Sequence, residues 1–511
     1  MPLFFIPTIT KVCIFTFRLS HILQIMKSKF SLSLVVLFVF CLFFSCQKDQ
    51  DDIIQPTSAN LEVQNFIWKG LNQFYLWQTD VPNLADNRFA NQTALDAFLV
   101  NYTVPKNLFD ALRVSPTIDR FSWMVDDYTV LEQQLQGTTK NSGVEFGLSY
   151  YSGSTNEIFG FVRYIIPGSD AATKDIKRGD VFTAVNGTPL TVSNYQSLLL
   201  GTNDSFTLNM ADIINGTITP NNKTVALTKT VLSENPILVN KVITVGAKKI
   251  GYMMYNGFYS PYDTQLNDAF GYLKAQGITD FVLDLRYNGG GSVQTATYLA
   301  SMITGQFTGR VFAKQQWNTK INAYFEANNP NGLRNFFTDK IGATPINSVN
   351  MTKVYVLTTG STASASELVI NGLKPYVDVV QIGTTTVGKN VGSVTLYDSS
   401  DFTASNSNPN HKYAMQPIVL KIVNSADFGD YFNGLTPTYQ LSETISTYGI
   451  LGDVNEPLLK AAIGKITGTG KMIQQSAGKQ FDFFKDSKSI DGIENQMYLE
   501  KAPKGLQQAF N

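Results

Sequence analysis

The sequence predicts an α/β protein of two or three domains, and three observations carry that prediction. From about residue 240 to 465, apolar strand-like runs alternate with segments of helical spacing, the pattern of an α/β core. Between residues 137 and 235 the pattern is one of short β-type runs separated by turn residues. Ahead of both, residues 60–130 show helical periodicity. A chain of 511 residues is too long for one ordinary domain.

The N-terminus reads as an address. Residues 1–45 carry Lys11, Arg18, Lys27 and Lys29 and no acid. Met26-Lys-Ser-Lys starts a short basic segment, and Phe30–Phe44 is an uncharged, mostly apolar run of 15 residues, followed by Ser45-Cys46 and a polar, acidic stretch. These are the parts of a secretory signal, and the run falls short of the roughly 20 residues a membrane span needs. Phe43-Phe44-Ser45-Cys46 resembles a bacterial lipobox, loosely at its first position. The resemblance implies lipidation at Cys46, a tether over 46–59, and a lipid-anchored protein of a bacterial cell envelope. Met26 opens a complete signal unaided, so residues 1–25 read as an upstream extension.

Composition narrows the chemistry. Hydrophobic residues make up 43% and charged residues 16%, as in globular proteins. The formal net charge is zero; without the four leader bases, 36 basic residues face 40 acidic ones. That balance argues against nucleic acid as the main partner. Of two histidines, His21 lies in the leader and His411 in a polar loop, Asn408-Pro-Asn-His-Lys. One body histidine excludes HExxH-type zinc sites and multi-histidine metal centres. The three cysteines, Cys13, Cys41 and Cys46, all precede the body, so it has no thiol for a disulfide or a thiolate nucleophile. Neither cofactor nor metal is expected.

In residues 60–80, Leu61, Phe66, Ile67, Leu71, Phe74 and Tyr75 stand near helical spacing; Ala94–Tyr102 and Asn107–Leu112 predict two further short helices. The β region follows with runs at Val144–Tyr150, Ile158–Ile166, Val181–Val185 and Phe206–Met210. Pro167–Ala172 is a turn feeding a short helix, and Asn186-Gly187 is a hairpin signal. The stretch PGSDAATKDIKRGDVFTAVNG resembles the middle of a PDZ domain of bacterial proteases. That resemblance implies a peptide-binding strand over 137–235, with Phe146, Gly147 and Leu148 in the loop that captures a terminal carboxylate on main-chain N–H groups.

In the core, Lys249–Met254, Phe281–Leu285, Val354–Thr358, Val379–Ile382 and Ile418–Val423 read as strands. Leu266, Phe270 and Leu273 mark a helix that Gly277 ends, and Glu367–Leu373 is another. Residues 466–511 are polar and weakly patterned, a C-terminal extension.

Thr358–Val369, TTGSTASASELV, falls at a strand-to-helix junction. A serine there is either an N-cap or a nucleophile beside the free N–H groups and positive dipole end of the helix. A nucleophilic serine needs a base. With His411 in a solvated loop, a lysine is the remaining option, provided that burial strips its proton. Lys389 stands among small and apolar residues in Thr384–Gly392.

TASASE, with Lys389 of GTTTVGK 25 residues after Ser364, and the preceding DLRYNGGGS at Asp284–Ser292, resemble the carboxyl-terminal processing (tail-specific) serine peptidases. The resemblance covers roughly 140–460. It implies a peptidase core of crotonase/ClpP-like ββα layers at 240–465, a PDZ-like domain inserted in it or preceding it, and a small helical N-terminal domain. It further implies Ser364 as nucleophile, Lys389 as base, and an oxyanion hole from the N–H groups of Ala365 and Gly290, with Gly291 nearly equivalent. Many members place a lysine-orienting glutamine four residues after the lysine; here Ser393 occupies that position. The implied partners are protein or peptide substrates engaged through their C-termini. The rival class is an inactive peptide-binding envelope lipoprotein.

Overall fold

The structure, a computed structural model, describes residues 61–469, 480–490 and 495–510. The leader, Cys46 and the tether lie outside the described residues.

Helix α1 (Glu62–Phe74) buries Phe66, Ile67, Leu71 and Phe74 on one face. The spacing predicts helix as far as residue 80, but Tyr75 turns extended and a 3₁₀ turn at Gln78–Asp80 follows. Helix α2 (Gln92–Leu99) is capped by Asn91, whose Oδ1 accepts from Ala94 N at 3.0 Å; α3 (Pro105–Ala111) starts on a proline, and α4 (Tyr128–Leu135) on Asp127. The apolar face of these helices is not closed on itself. Phe66, Leu71 and Phe74 share one continuous core with Leu299, Val356 and Leu420 of the α/β region.

The β region holds β1 (Val144–Tyr150), β2 (Ile158–Ile165), β3 (Val181–Val185), helix α5 (Tyr195–Leu200), β4 (Ser205–Ile214) and β5 (Thr217–Thr228), antiparallel in that order. Asn186 and Gly187 both take positive φ, 51° and 79°, as a type I′ hairpin turn after β3 requires. Phe146, Leu148, Val162, Phe182 and Leu208 fill a core of their own with Tyr195 and Leu199 of α5.

The α/β region comprises β6 (Ile237–Val245), β7 (Lys248–Tyr255), α6 (Asp263–Ala275), β8 (Asp280–Asp284), β9 (Gly291–Ser292), α7 (Val293–Thr304), β10 (Val311–Trp317), β11 (Lys353–Thr358), α8 (Ala365–Leu373), β12 (Asp378–Gly383), β13 (Val391–Val394), β14 (Ile418–Asn424) and α9 (Pro457–Thr467). One six-stranded sheet runs β6-β7-β8-β11-β12 and ends on Tyr439–Gln440, parallel from β7 onward.

The polar C-terminal extension contributes two strands that its sequence does not announce: β15 (Phe483–Asp486) and β16 (Met497–Leu499). The former adds antiparallel to the outer edge of β1. The latter lies between β9 and β13, parallel to both, in a second six-stranded sheet ordered β9-β16-β13-β14-β10 and closed by Arg334–Phe336. Strands of three and four residues are too short to show a period of two; distant partners supply their hydrogen bonds. Among the described residues no helix is long and apolar enough to cross a membrane.

Candidate active site

Strands β8 and β11 pair in parallel, so the loops leaving their C-terminal ends lie side by side. Those loops are Asp284–Ser292 and the turn into α8. Asn288 ties them together: its main-chain O accepts from Ala363 N (3.1 Å) and Ser366 Oγ (3.0 Å), and its Oδ1 accepts from Gly290 N (2.9 Å). Thr362 Oγ1 donates to Leu285 O at 2.9 Å. The small polar residues of the second loop thus hydrogen-bond to the backbone of the first.

Ser364 caps α8 with φ 65° and ψ −117°, a conformation that costs a non-glycine residue of order 1–3 kcal/mol and that the surrounding contacts must hold. It is wholly buried, and its Oγ has no hydrogen-bond partner. Glu367 supplies the carboxylate half of a capping box: Ser364 N donates to Glu367 Oε2 at 2.7 Å. The same oxygen accepts from Lys389 N at 2.8 Å, so the main-chain N–H groups of Ser364 and Lys389 converge on one atom. Oε1 accepts from Gly388 N (2.7 Å) and Thr386 Oγ1. Burial raises the Glu367 pKa above the usual carboxylate range, against the pull of these hydrogen bonds.

Lys389 is wholly buried in the loop between β12 and β13. Its Nζ lies 4.5 Å from the Phe121 ring centroid and 3.5 Å from Gln496 Oε1. Arg120 donates to Gly388 O at 2.6 Å beside it. Ser393, expected to orient the lysine, instead turns its Oγ to Met497 O at 3.3 Å, because β16 runs alongside β13 there. Gly290, expected to offer an N–H to the site, donates it to Asn288 Oδ1. The Gly291 N–H reaches a peptide carbonyl, Gln496 O, at 2.5 Å. Ala365 is the first residue of α8, adjoining the Ser364 turn.

Gln496, Phe121 and Arg120 escape a reading of the sequence. The first comes from the unpatterned extension and the other two from the segment after α3, far from the motifs in sequence; no local signal connects them. His411, expected in a solvated loop, pairs its Nε2 with Asp398 Oδ2 at 2.9 Å and lies against Phe66.

The β1 strand carries Phe146, Gly147 and Leu148, the expected carboxylate-binding residues, and β15 pairs with it there: Asp486 opposite Gly147, Lys485 opposite Leu148. Phe146 N donates to Ser487 Oγ at 3.1 Å, and that hydroxyl lies 2.6 Å from Glu145 Oε2. A cavity of about 140 Å³ runs from this groove, past Phe146 and Ser487, to Gly290 and Gln496.

Burial pushes the Glu145 pKa up to about 7, opposed by the Lys488 charge and reinforced by Glu234 and Asp486. A carboxyl raised on folding binds its proton more tightly in the native state. Its stabilising contribution is therefore complete below the unfolded value near 4.3 and is lost as pH climbs through about 7. Glu145→Gln is expected to flatten the fall in Tm between about pH 4.5 and 7.5 by roughly 2 °C. Parallel Tm–pH curves for the two proteins would contradict this.

The arginine of the first loop is engaged with carboxylates. Wholly buried Arg286 donates to Asp284 Oδ1 (Nε, 2.9 Å), to both Glu456 oxygens (2.7 and 2.9 Å) and to Glu443 Oε1 (2.7 Å). Glu443 also accepts from Arg178 (2.7 Å) and Tyr287 (2.7 Å). Burial alone would raise the Glu443 pKa; the Arg286 and Arg178 charges hold it down at about 2.

Residues 249–405 match the model of Peptidase family S41, and residues 62–123 match the Peptidase S41 N-terminal domain. A chloroplastic C-terminal processing peptidase of Tetradesmus obliquus is 27% identical over 273 residues, 51% of this chain and 53% of that protein. A carboxyl-terminal-processing protease of Picosynechococcus is 24% identical over 224 residues, 44% of this chain and 49% of that one. The chain spans about half the length of these curated relatives. A crystal structure of a Bacteroides fragilis protein assigned to the S41 proteases superposes with a TM-score of 0.61 at 26% identity, covering 82% of this chain and 99% of that one. With both motif loops brought together on an α/β scaffold, residues 62–123 and 249–405 match, in order, the N-terminal domain and the peptidase domain of family S41.

Proposed function

We propose that the chain is a serine endopeptidase in which Ser364 is the nucleophile and Lys389 the general base. The observation that carries this reading is the strained, partnerless Ser364 Oγ at the N-terminus of α8, with its N–H and that of Lys389 joined on one Glu367 oxygen. A backbone held this way presents a hydroxyl that no structural hydrogen bond uses. Burial removes the Lys389 ammonium from water, the condition a lysine needs to act as a base near neutral pH.

In this mechanism Ser364 Oγ attacks the scissile carbonyl carbon and its proton passes to Lys389 Nζ. The tetrahedral oxyanion is held by the N–H of Ala365 and by the glycine loop, where Gly291 is favoured because its N–H is given to a peptide carbonyl, Gln496 O, whereas the Gly290 N–H is given to the Asn288 side chain. Lys389 then protonates the leaving amine as the C–N bond breaks. Water, deprotonated by the same amine, hydrolyses the acyl-serine and returns the proton to Ser364. No cofactor or metal enters these steps.

The β domain serves as a PDZ-like module on a crotonase/ClpP-like core. An extended substrate adds along β1, where the N–H groups of Phe146, Gly147 and Leu148 meet a C-terminal carboxylate. Cys46 is the lipid-anchored residue of a cell-envelope enzyme.

The test is fluorophosphonate labelling of the purified body with mass-spectrometric site mapping, alongside casein hydrolysis. Labelling at Ser364, lost with casein cleavage in Ser364→Ala, is the expected result. Cleavage that survives in Ser364→Ala and Lys389→Ala alike would end the proposal. Gly290→Ala supplies a further prediction. Its Cβ would lie 2.6 Å from both Ser364 Cβ and Gln496 O, at a φ of 112°. A displacement of that size beside the reacting atom should lower casein hydrolysis about 10²-fold; wild-type rates in a folded variant would show that Gly290 need not stay bare.

A further inference from the structure

The candidate dyad has no exposed surface, and the chain itself covers it. Ser364 and Lys389 are wholly buried. Gln496 places its main-chain carbonyl on the Gly291 N–H (2.5 Å) and its side-chain oxygen 3.5 Å from Lys389 Nζ. The neighbouring Met497 and Tyr498 continue as β16, between the glycine-loop strand and the strand that follows the lysine. A peptide carbonyl on the glycine-loop N–H, in a strand between those two, is where a substrate would have to lie.

Upstream, the same segment fills the groove between β1 and α5. Tyr150 N donates to Asp482 O at 2.9 Å, and the pairing continues from Phe483 opposite Ser149 to Asp486 opposite Gly147. This is addition of an extended strand to a sheet edge. Two side chains are read specifically. Phe484 stands edge-on to Tyr150 (5.2 Å between centroids) and to Tyr195 of α5 (5.3 Å). Asp486 accepts from Arg163 Nη1 (2.9 Å) and Ser361 Oγ (2.7 Å), with Arg163 and Asp486 both buried. Ser361 belongs to the loop that carries Ser364, so recognition of Asp486 reaches the catalytic loop itself. Phe483, ahead of both anchors, is 49% exposed and lies 5.2 Å from the Arg163 guanidinium.

We propose that the β1–α5 groove is a binding site for extended peptides of the pattern Phe-x-Asp, and that the chain's own residues 483–487 and 495–497 are its resident ligand, keeping the peptidase latent until a competing segment displaces them. The ligand is an internal stretch of chain: its acid is a side chain held by Arg163 and Ser361, not a terminal carboxylate. The inference rests on the peptidase reading for latency, but not for the groove.

The experiment uses the full chain and a fluorescein-labelled peptide of residues 481–488, FDFFKDSK. Wild type should bind it poorly, because a tethered segment competes at an effective concentration near millimolar. Phe484→Ser removes two ring contacts and a half-buried ring, so it should bind the added peptide at least about tenfold more tightly than wild type. The same variant should react with a fluorophosphonate at least about tenfold faster, and added peptide should slow it again. Ser487→Ala, a smaller change beside Phe146, should move both readouts in the same direction should Phe484→Ser fail to fold. Equal peptide binding by wild type and variants, or equal labelling rates, overturns the inference while leaving the peptidase intact. No labelling in any variant, with peptide binding still gained, overturns the peptidase reading and keeps the groove.

Discussion

Replacing Arg286 with leucine is expected to lower the free energy of unfolding by about 3–5 kcal/mol, the range for breaking a buried ion pair from one side. The guanidinium is wholly buried and faces Asp284, Glu443 and Glu456 at once, with Arg178 as the other cation on Glu443. Leucine matches part of its volume but leaves three buried carboxylates against one remaining arginine, and Tyr252, which donates to Asp284 at 2.7 Å, keeps only part of the site paired. Urea denaturation followed by circular dichroism should show a lower midpoint at unchanged slope. Arg286→Lys should also destabilise, because an ammonium cannot reproduce the planar fork. A midpoint within error of wild type for Arg286→Leu would mean that the network relaxes around the loss. Because the Glu443 pKa is held at about 2, its contribution is present above the unfolded carboxylate value and is lost only as pH falls toward about 2. Arg286→Leu should therefore lose less stability than wild type on acidification, because carboxylates no longer held down by Arg286 are relieved by taking up a proton.

Ser364→Ala and Lys389→Ala are each expected to lower casein hydrolysis by about 10⁴-fold or more, and the double variant to be no worse than either single one. Groups that act as one unit lose their whole effect when either is removed. Folding should be little affected by Ser364→Ala, since the Oγ makes no hydrogen bond that alanine would forfeit. The pH profile supplies an independent check: activity set by Lys389 rises with pH as the amine loses its proton. A profile that does not rise with pH would remove Lys389 as the base. Comparable rates in wild type and both single variants would remove the dyad from the mechanism.

What was legible in the sequence was what is local. The β runs at Val144–Tyr150 and Val181–Val185 and the hairpin at Asn186-Gly187 stand where alternation and turn residues put them. The two loops meeting at Asn288 were visible because each is a consecutive run of small and polar residues at a strand end. Contacts made by single residues on remote segments were not legible. Glu443 and Glu456 lie more than 150 residues from Arg286 and carry no pattern that pairs them with it. Ser393 came into view only through the resemblance, as the position four residues after the lysine; that β16 runs beside it, with Met497 O 3.3 Å from its hydroxyl, has no signal in the sequence. The helical spacing of residues 60–80 overran its true end, since Tyr75 is buried whether helical or extended and periodicity cannot see where the backbone turns.

The place of β16 bears on how the molecule is made. Met497 pairs with Gly291 and Tyr498 with Ser393, so β16 completes a sheet begun some 200 residues earlier. Contacts of such sequence separation form late, after the loops between them have been closed. A chain emerging in order from N- to C-terminus can assemble its parallel sheet, its serine turn and its lysine loop while that slot stands open. Until residues 497–499 arrive, the nascent protein has an uncovered cleft, and the interval before closure is when it is most exposed to mispairing and to stray peptides.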